Sequence, residues 1–127
     1  MSFATFVEKQ LPCMRRYAFA MIGDLASADE CLAQVLKGLI AARNDKHPVD
    51  QYRKVDLFVL LQRSIVQQEP KFAHVIMRPL VLLLEVEQFS IDKVSLILSI
   101  PIDELWRLAN SDDYVSTRDS MRNDHNC

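Results

Sequence analysis

The sequence predicts an all-α fold made of two small helical units. Half of its 127 residues are hydrophobic and only two are glycine, while residues that favour helices are plentiful. Apolar residues recur at spacings of three to five over most of the chain, which is the period of an amphipathic helix. Pro70 supplies the one candidate boundary, because proline disfavours helix in the residue before it. We therefore expect one unit over residues 1–69 and a second over residues 70–127.

The first predicted helix runs from about Thr5 to Ile22. Gly23 should end it, because glycine readily adopts the left-handed conformation found after helix C-termini. Pro12 lies inside this stretch and lacks the N–H group that an α-helix needs. We therefore expect either a bend at Pro12 or a regular helix that begins only there, with a separate short turn before it.

Two further helices complete the first unit. Ser27 and Glu30 have the spacing of a capping box, so the second helix should start at Ser27 and extend to about Arg43. Asp50 should cap the third helix, which reaches about Gln68. Both helices carry an apolar side, which Gln62 and Arg63 interrupt in the third helix. The three helices together are expected to pack as one unit.

The second unit is organised around Phe89–Asn110, which predicts two short helices about a tight corner. Ser90 should cap the first helix, and the corner is Ser99–Pro101. This outline is that of a helix-turn-helix, and a fourth helix from about Pro79 to Val86 should precede it. The apolar sides of its two helices are expected to be Ile91, Val94, Leu96, Ile97 and Leu98 in the first, and Ile102, Leu105, Trp106 and Ala109 in the second.

The charge of this helix-turn-helix is wrong for binding DNA. Residues 1–69 hold nine Lys or Arg and eight Asp or Glu, whereas residues 70–127 hold six and nine. The second helix opens with Asp103 and Glu104, where a DNA reader would lie near phosphates. Because phosphate contacts need Lys and Arg, we expect this chain not to bind promoter DNA.

No chemistry of an enzyme is visible. The three histidines lie far apart, and no Ser or Cys has a plausible local base. Cys13 and Cys31 are interpreted as small buried hydrophobic residues with reduced thiols. No apolar run approaches the length of a membrane span, and no secretory signal is visible. We therefore expect a non-catalytic cytoplasmic protein without cofactor or metal.

Two stretches resemble parts of extracytoplasmic-function sigma factors. Leu11–Ala42, LPCMRRYAFAMIGDLASADECLAQVLKGLIAA, resembles the opening of region 2, and Arg78–Leu105, RPLVLLLEVEQFSIDKVSLILSIPIDEL, resembles the promoter-reading region 4. The closer resemblance is to the sigma-like domain of PhyR-type general stress response regulators. It implies a sigma-factor mimic that binds the small anti-sigma protein NepR and so frees the real sigma factor.

The sequence departs from this family pattern in three ways. Leu60–Pro70 is nearly uncharged, where working sigma factors carry an aromatic and basic promoter-melting segment. Asp103, Glu104, Trp106 and Leu108 replace the small, hydroxylated or basic residues usual in the reading helix. PhyR-type proteins also carry a receiver domain, which we expect this chain to lack. A partner receiver protein, constitutive binding or another signal would then replace it.

The leading hypothesis is a sigma mimic that binds a NepR-like anti-sigma protein. Self-association to a homodimer is another way in which exposed apolar surface could be covered. The alternative is a divergent sigma factor that binds RNA polymerase and promoter DNA, and a third is a helical interaction domain of other purpose. In the mimic, an amphipathic partner helix would dock in a groove between the two units. For the apolar candidates, core packing is the competing interpretation, and for the arginines it is a solvated face. The candidate partner-binding residues are Arg15, Arg16, Phe19, Leu83, Val86, Phe89 and Trp106.

Overall fold

The computed structural model describes residues 2–44 and 52–124. Every regular element in these two ranges is helical, so the predicted all-α fold is confirmed. The chain divides into two compact units, Met1–Phe72 and Ala73–Cys127. The assignment of residues 1–69 and 70–127 to sigma regions 2 and 4 stays a prediction. The elements are α1 Phe3–Ile22, α2 Leu25–Asn44, α3 Lys54–Gln68, a 3-10 helix Pro70–His74, α4 Met77–Val81 with a π-helical turn Leu82–Val86, α5 Ile91–Leu98, α6 Ile102–Ala109 and α7 Asp112–Asp124.

In the first unit, α1, α2 and α3 pack against one another around a buried aromatic pair. The ring centroids of Tyr17 and Phe58 are 5.5 Å apart, and both side chains are fully buried. The Tyr17 hydroxyl donates a 2.6 Å hydrogen bond to Oε1 of buried Gln62, and Ser64 Oγ donates to the carbonyl of Cys31. These bonds satisfy polar groups that would otherwise destabilise the core.

α1 is continuous from Phe3 to Ile22 and passes through Pro12. The predicted late start at Pro12 is therefore wrong. The side chain of Pro12 faces solvent, while Val7 and Met14 on either side of it are buried. Burial of those flanking residues offsets the hydrogen bond that proline cannot make.

The two ends of the α1–α2 connection differ in how well the sequence predicted them. Gly23 ends α1 as expected, with φ 84° and its N–H bonded to the Phe19 carbonyl at 2.7 Å. Ser27, however, does not cap α2, which begins at Leu25. Asp24 takes that role, because its Oδ2 accepts hydrogen bonds from the Ser27 N–H at 2.9 Å and the Ser27 hydroxyl at 2.6 Å. A carboxylate can accept both bonds at once.

α3 begins at Lys54, later than predicted. Asp56 in its first turn accepts a 2.6 Å hydrogen bond from the N–H of Arg53, the residue before the helix. A carboxylate in this place satisfies a free backbone donor and suits the helix dipole. The predicted cap, Asp50, lies outside the described residues. The helix ends at Gln68, as predicted.

In the second unit, α4 and the π-helical turn form the central buried segment. α4 begins at Met77 rather than Pro79, and the helix widens from Leu82 onward. The N–H of Glu87 bonds to the Leu82 carbonyl, five residues back, where an α-helix would reach four. The Tyr114 hydroxyl of α7 donates a 3.0 Å bond to Glu85 Oε1 and ties this turn to the last helix.

The corner of the helix-turn-helix is closed by short-range hydrogen bonds. Ser99 has φ 57°, and its N–H bonds to the Ser95 carbonyl. The Ile100 N–H bonds to the same carbonyl at 3.3 Å, and Ser95 Oγ donates back to the Ile100 carbonyl at 2.6 Å. The helix therefore ends in a left-handed residue, and Ser99 occupies the position where glycine is usual. Pro101 then precedes α6, one residue outside the predicted first turn.

Candidate protein-docking surfaces

Three of the candidate partner-binding residues lie on the outer side of α1. Arg15, Arg16 and Phe19 are all exposed, and 44% of the Phe19 side chain is accessible. Nε and Nη2 of Arg15 donate to the two carboxylate oxygens of Asp29, on α2, at 2.9 and 3.1 Å. This bidentate pair lowers the pKa of Asp29 and raises that of Arg15. Arg15 is therefore held in place by α2, with its charge partly compensated.

Three other candidates lie on the segment that follows α4. Leu83 is fully buried, Phe89 is buried, and Val86 is half-buried. The Phe89 N–H bonds to the Leu83 carbonyl at 2.9 Å, so the backbone brings two of them together. In this structure Leu83 and Phe89 contribute to packing and offer little surface to a partner. Their assignment to a partner site, and the groove between the units, stay predictions.

The seventh candidate, Trp106, faces outward from α6. Leu105 is fully buried, whereas Trp106 is 53% exposed and Ile102 is 40% exposed. The predicted apolar side of α6 therefore divides into a buried part, Leu105, and an exposed part, Ile102 and Trp106. A single buried residue, Leu105, holds this short helix against the unit. Ile102 and Trp106 lie four positions apart and are therefore neighbours on the surface of the helix. Together they form a strip beside Leu105 that packing leaves partly uncovered.

A similar correction applies to α5, where Val94 and Ile97 are buried but Leu96 is exposed. Leu96 was expected on the buried side because it lies within a nearly continuous apolar run. Successive residues of a helix are about 100° apart, so a helix that packs on one face leaves part of such a run in solvent.

The second unit, which contains α6, carries a net negative charge. From residue 73 onward the sequence holds five Lys or Arg and nine Asp or Glu, a net charge of −4. Glu104 pairs with Arg107 at 3.8 Å, an exposed contact of little energy. Asp103, Asp112 and Asp113 are exposed and form no ion pair within residues 2–44 and 52–124. Phosphates would be repelled at the end of α6 that a DNA reader presents to the groove.

Three features of the described residues bear on metal, thiol and cleft chemistry. Among them, no three His, Cys, Asp or Glu side chains could hold a metal ion together. Burial raises the pKa of the Cys31 thiol, which disfavours the reactive thiolate. A cleft of about 330 Å³ between α2 and α3 is lined by Gln34, Arg63 and Gln67 among others, with no carboxylate, histidine or cysteine. Within the same ranges, no helix is long and apolar enough to cross a membrane.

Two residues of the α6 surface were absent from the predicted partner-binding set. Ile102 lies one helical turn before Trp106, and Asp103 lies three residues before it. The spacing could have indicated both, since residues three and four apart are neighbours on a helix surface. The sequence could not show that Ile102 is exposed, because an isoleucine at this spacing is usually buried.

A family match was found for most of the first unit. Residues 7–62 match a family described as the Sigma2 domain of PhyR. The matched range includes most of α1, all of α2 and more than half of α3. Among curated proteins, none matches this chain. The match confirms the resemblance within residues 7–62 and supports a sigma-like regulatory role. The resemblance of Arg78–Leu105 to region 4 lies outside the match and stays a prediction.

Proposed function

We propose that this protein is a non-catalytic sigma-factor mimic, because residues 7–62 match the Sigma2 domain of PhyR. It binds an anti-sigma protein and thereby regulates transcription, as part of a stress or signal response in the cytoplasm. An anti-sigma protein of the NepR kind is the expected partner. A receiver protein is the second partner class, because receiver domains control the sigma-like domain in the PhyR-type regulators that this chain resembles.

The observation that carries the proposal is the conflict between shape and charge in the helix-turn-helix. The corner between α5 and α6 is well formed, yet Asp103 and Glu104 open the reading helix. Each carboxylate would face phosphate in the major groove, where like charges repel instead of releasing counterions. The apolar residues Ile102 and Trp106 remain exposed beside them, which suits contact with a protein.

A competition assay tests the proposal. The host's anti-sigma protein is first bound to its fluorescently labelled sigma factor, and this protein is then titrated into the complex. We expect the labelled sigma factor to be released, because a mimic occupies the same partner surface. The expected inhibition constant is micromolar or lower. If no anti-sigma protein of the host binds this chain at micromolar concentration, the mimic hypothesis fails.

The alternative, a divergent sigma factor, is favoured by one observation, the intact corner of the helix-turn-helix. A mobility-shift titration at low salt with promoter DNA separates the two functions. We expect no sequence-specific retention, because phosphate contacts by cationic side chains supply a large share of specific as well as non-specific DNA affinity. Sequence-specific retention at sub-micromolar concentration would instead support binding of RNA polymerase and promoter DNA.

A further inference from the structure

We propose that the α6 face, defined as Ile102, Asp103 and Trp106, docks a cationic amphipathic helix of the partner protein. This inference rests on the proposed function and deepens it, because it names the chemistry of the partner segment. It also locates a docking surface within the second unit alone. No surface of the first unit is required for this contact.

The apolar part of the α6 face is only partly used in packing the helix against its unit. Leu105 has no exposed surface and anchors α6, while Ile102 and Trp106 keep 40% and 53% of their surface in solvent. They lie one turn apart and therefore form a continuous strip. Exposed tryptophan beside exposed isoleucine is the kind of residue pair that contributes strongly when a partner covers it.

The charge of the α6 face determines which partner fits. Asp103 lies three residues before Trp106 and forms no ion pair within the described part of the chain. The nearest cation in sequence, Arg107, is already paired with Glu104. The second unit as a whole carries a net charge of −4. A partner with Lys or Arg beside its apolar residues would be attracted, and an acidic partner would be repelled.

A helix is the partner conformation that best matches this strip. Two apolar residues one turn apart, bordered by a carboxylate, are complementary to a helix that presents Leu-type residues at the same spacing and Lys or Arg beside them. The surface is short, so it would bind about two turns of the partner helix. The remaining affinity for an anti-sigma protein would come from other contacts.

Trp106 makes the test direct, because it is the only tryptophan in the chain. The full-length protein is titrated with a designed helical peptide of leucine and lysine, and with a twin that has glutamate in place of lysine. We expect the lysine peptide to shift the Trp106 emission to shorter wavelength with saturation, and the glutamate twin to leave it unchanged. Circular dichroism verifies that each protein variant remains folded.

Matched variants locate the bound peptide. Ile102→Ala should weaken binding about fivefold, whereas Ile40→Ala, a change of another exposed isoleucine, should leave it unaltered. Asp103→Asn should weaken binding about twofold to fivefold at low salt, whereas Asp119→Asn should not. Equal binding of both peptides, or equal losses in the matched pairs, would overturn the proposed docking surface.

The same variants separate this inference from the proposed function. If the host's anti-sigma protein binds wild type and Ile102→Ala equally well, the α6 face is not its docking surface, while the mimic function stands. If the anti-sigma protein binds neither, the mimic function fails, and the peptide titration still decides whether the α6 face binds cationic helices.

Discussion

The contrast between Leu105 and Trp106 yields the most informative prediction about α6. These neighbours differ in burial, since Leu105 is fully buried and Trp106 is about half exposed. We expect Leu105→Ala to lower the free energy of unfolding of the second unit more than Trp106→Ala does, even though tryptophan is much the larger side chain.

The magnitudes follow from burial. Truncating a fully buried leucine costs about 2 to 5 kcal/mol, because both transfer energy and a cavity are involved. For Trp106 a little under half of the side chain is buried, on the order of 100 Å², which corresponds to at most about 2.5 kcal/mol at roughly 25 cal/mol per Å². An extended-chain reference overstates this area, so about 1 to 2 kcal/mol is expected for Trp106→Ala.

Urea unfolding followed by far-UV circular dichroism measures both variants against wild type. Circular dichroism is the appropriate signal because Trp106→Ala removes the only fluorescent tryptophan. The exposed half of Trp106 should instead appear in partner binding, where its loss should weaken affinity for an anti-sigma protein at least about tenfold. If Trp106→Ala lost as much unfolding free energy as Leu105→Ala, Trp106 would be a core residue and the α6 face would be misassigned.

Three further predictions concern the first unit. Tyr17→Phe should cost about 1 to 3 kcal/mol in urea unfolding, because it leaves the buried Gln62 oxygen without its 2.6 Å donor, and unchanged stability would contradict this. Gly23→Ala should cost about 1 to 2 kcal/mol because its φ is 84°, whereas Gly38→Ala, in open space inside α2, should gain about 0.5 to 1 kcal/mol. Shifts of the same sign would refute that reasoning. Hydrogen bonds from Ser27 lower the pKa of Asp24, so its contribution to stability is present above its unfolded pKa and is lost as pH falls through the folded pKa. Thermal melts from about pH 2 to pH 6 should therefore show a shallower acid decline for Asp24→Asn, and identical profiles would contradict this.

The helices could be predicted well from the sequence, because the spacing of their apolar residues agrees with the residues that end them. Gly23 ends α1 in the left-handed conformation that was expected, and α3 ends at Gln68 just before Pro70. These predictions depend only on local backbone chemistry, which a sequence displays directly. The fold class followed for the same reason.

Competition between local alternatives was harder to predict. Both Asp24 and Ser27 can cap α2, and the structure uses Asp24 because one carboxylate serves the N–H and the hydroxyl of Ser27 together. The exposure of Ile102 was also missed, since an apolar pattern predicts burial but cannot exclude an apolar surface. Trp106 had been left between a partner site and the core. For the candidate site, the sequence indicated the residue types and their charge, while the structure was needed to separate Trp106 from the core.

The Ser95–Ile100 corner has a thermodynamic consequence for recognition by α6. Its carbonyl and hydroxyl bonds fix the turn from within six consecutive residues. Ordering the backbone of a loose loop on binding would cost about 1 to 2 kcal/mol per residue. A surface that is already ordered avoids this entropy loss, so a partner retains more of the free energy of its contacts. Loosening the corner with a glycine-rich insertion should therefore weaken binding even though every side chain of α6 is unchanged.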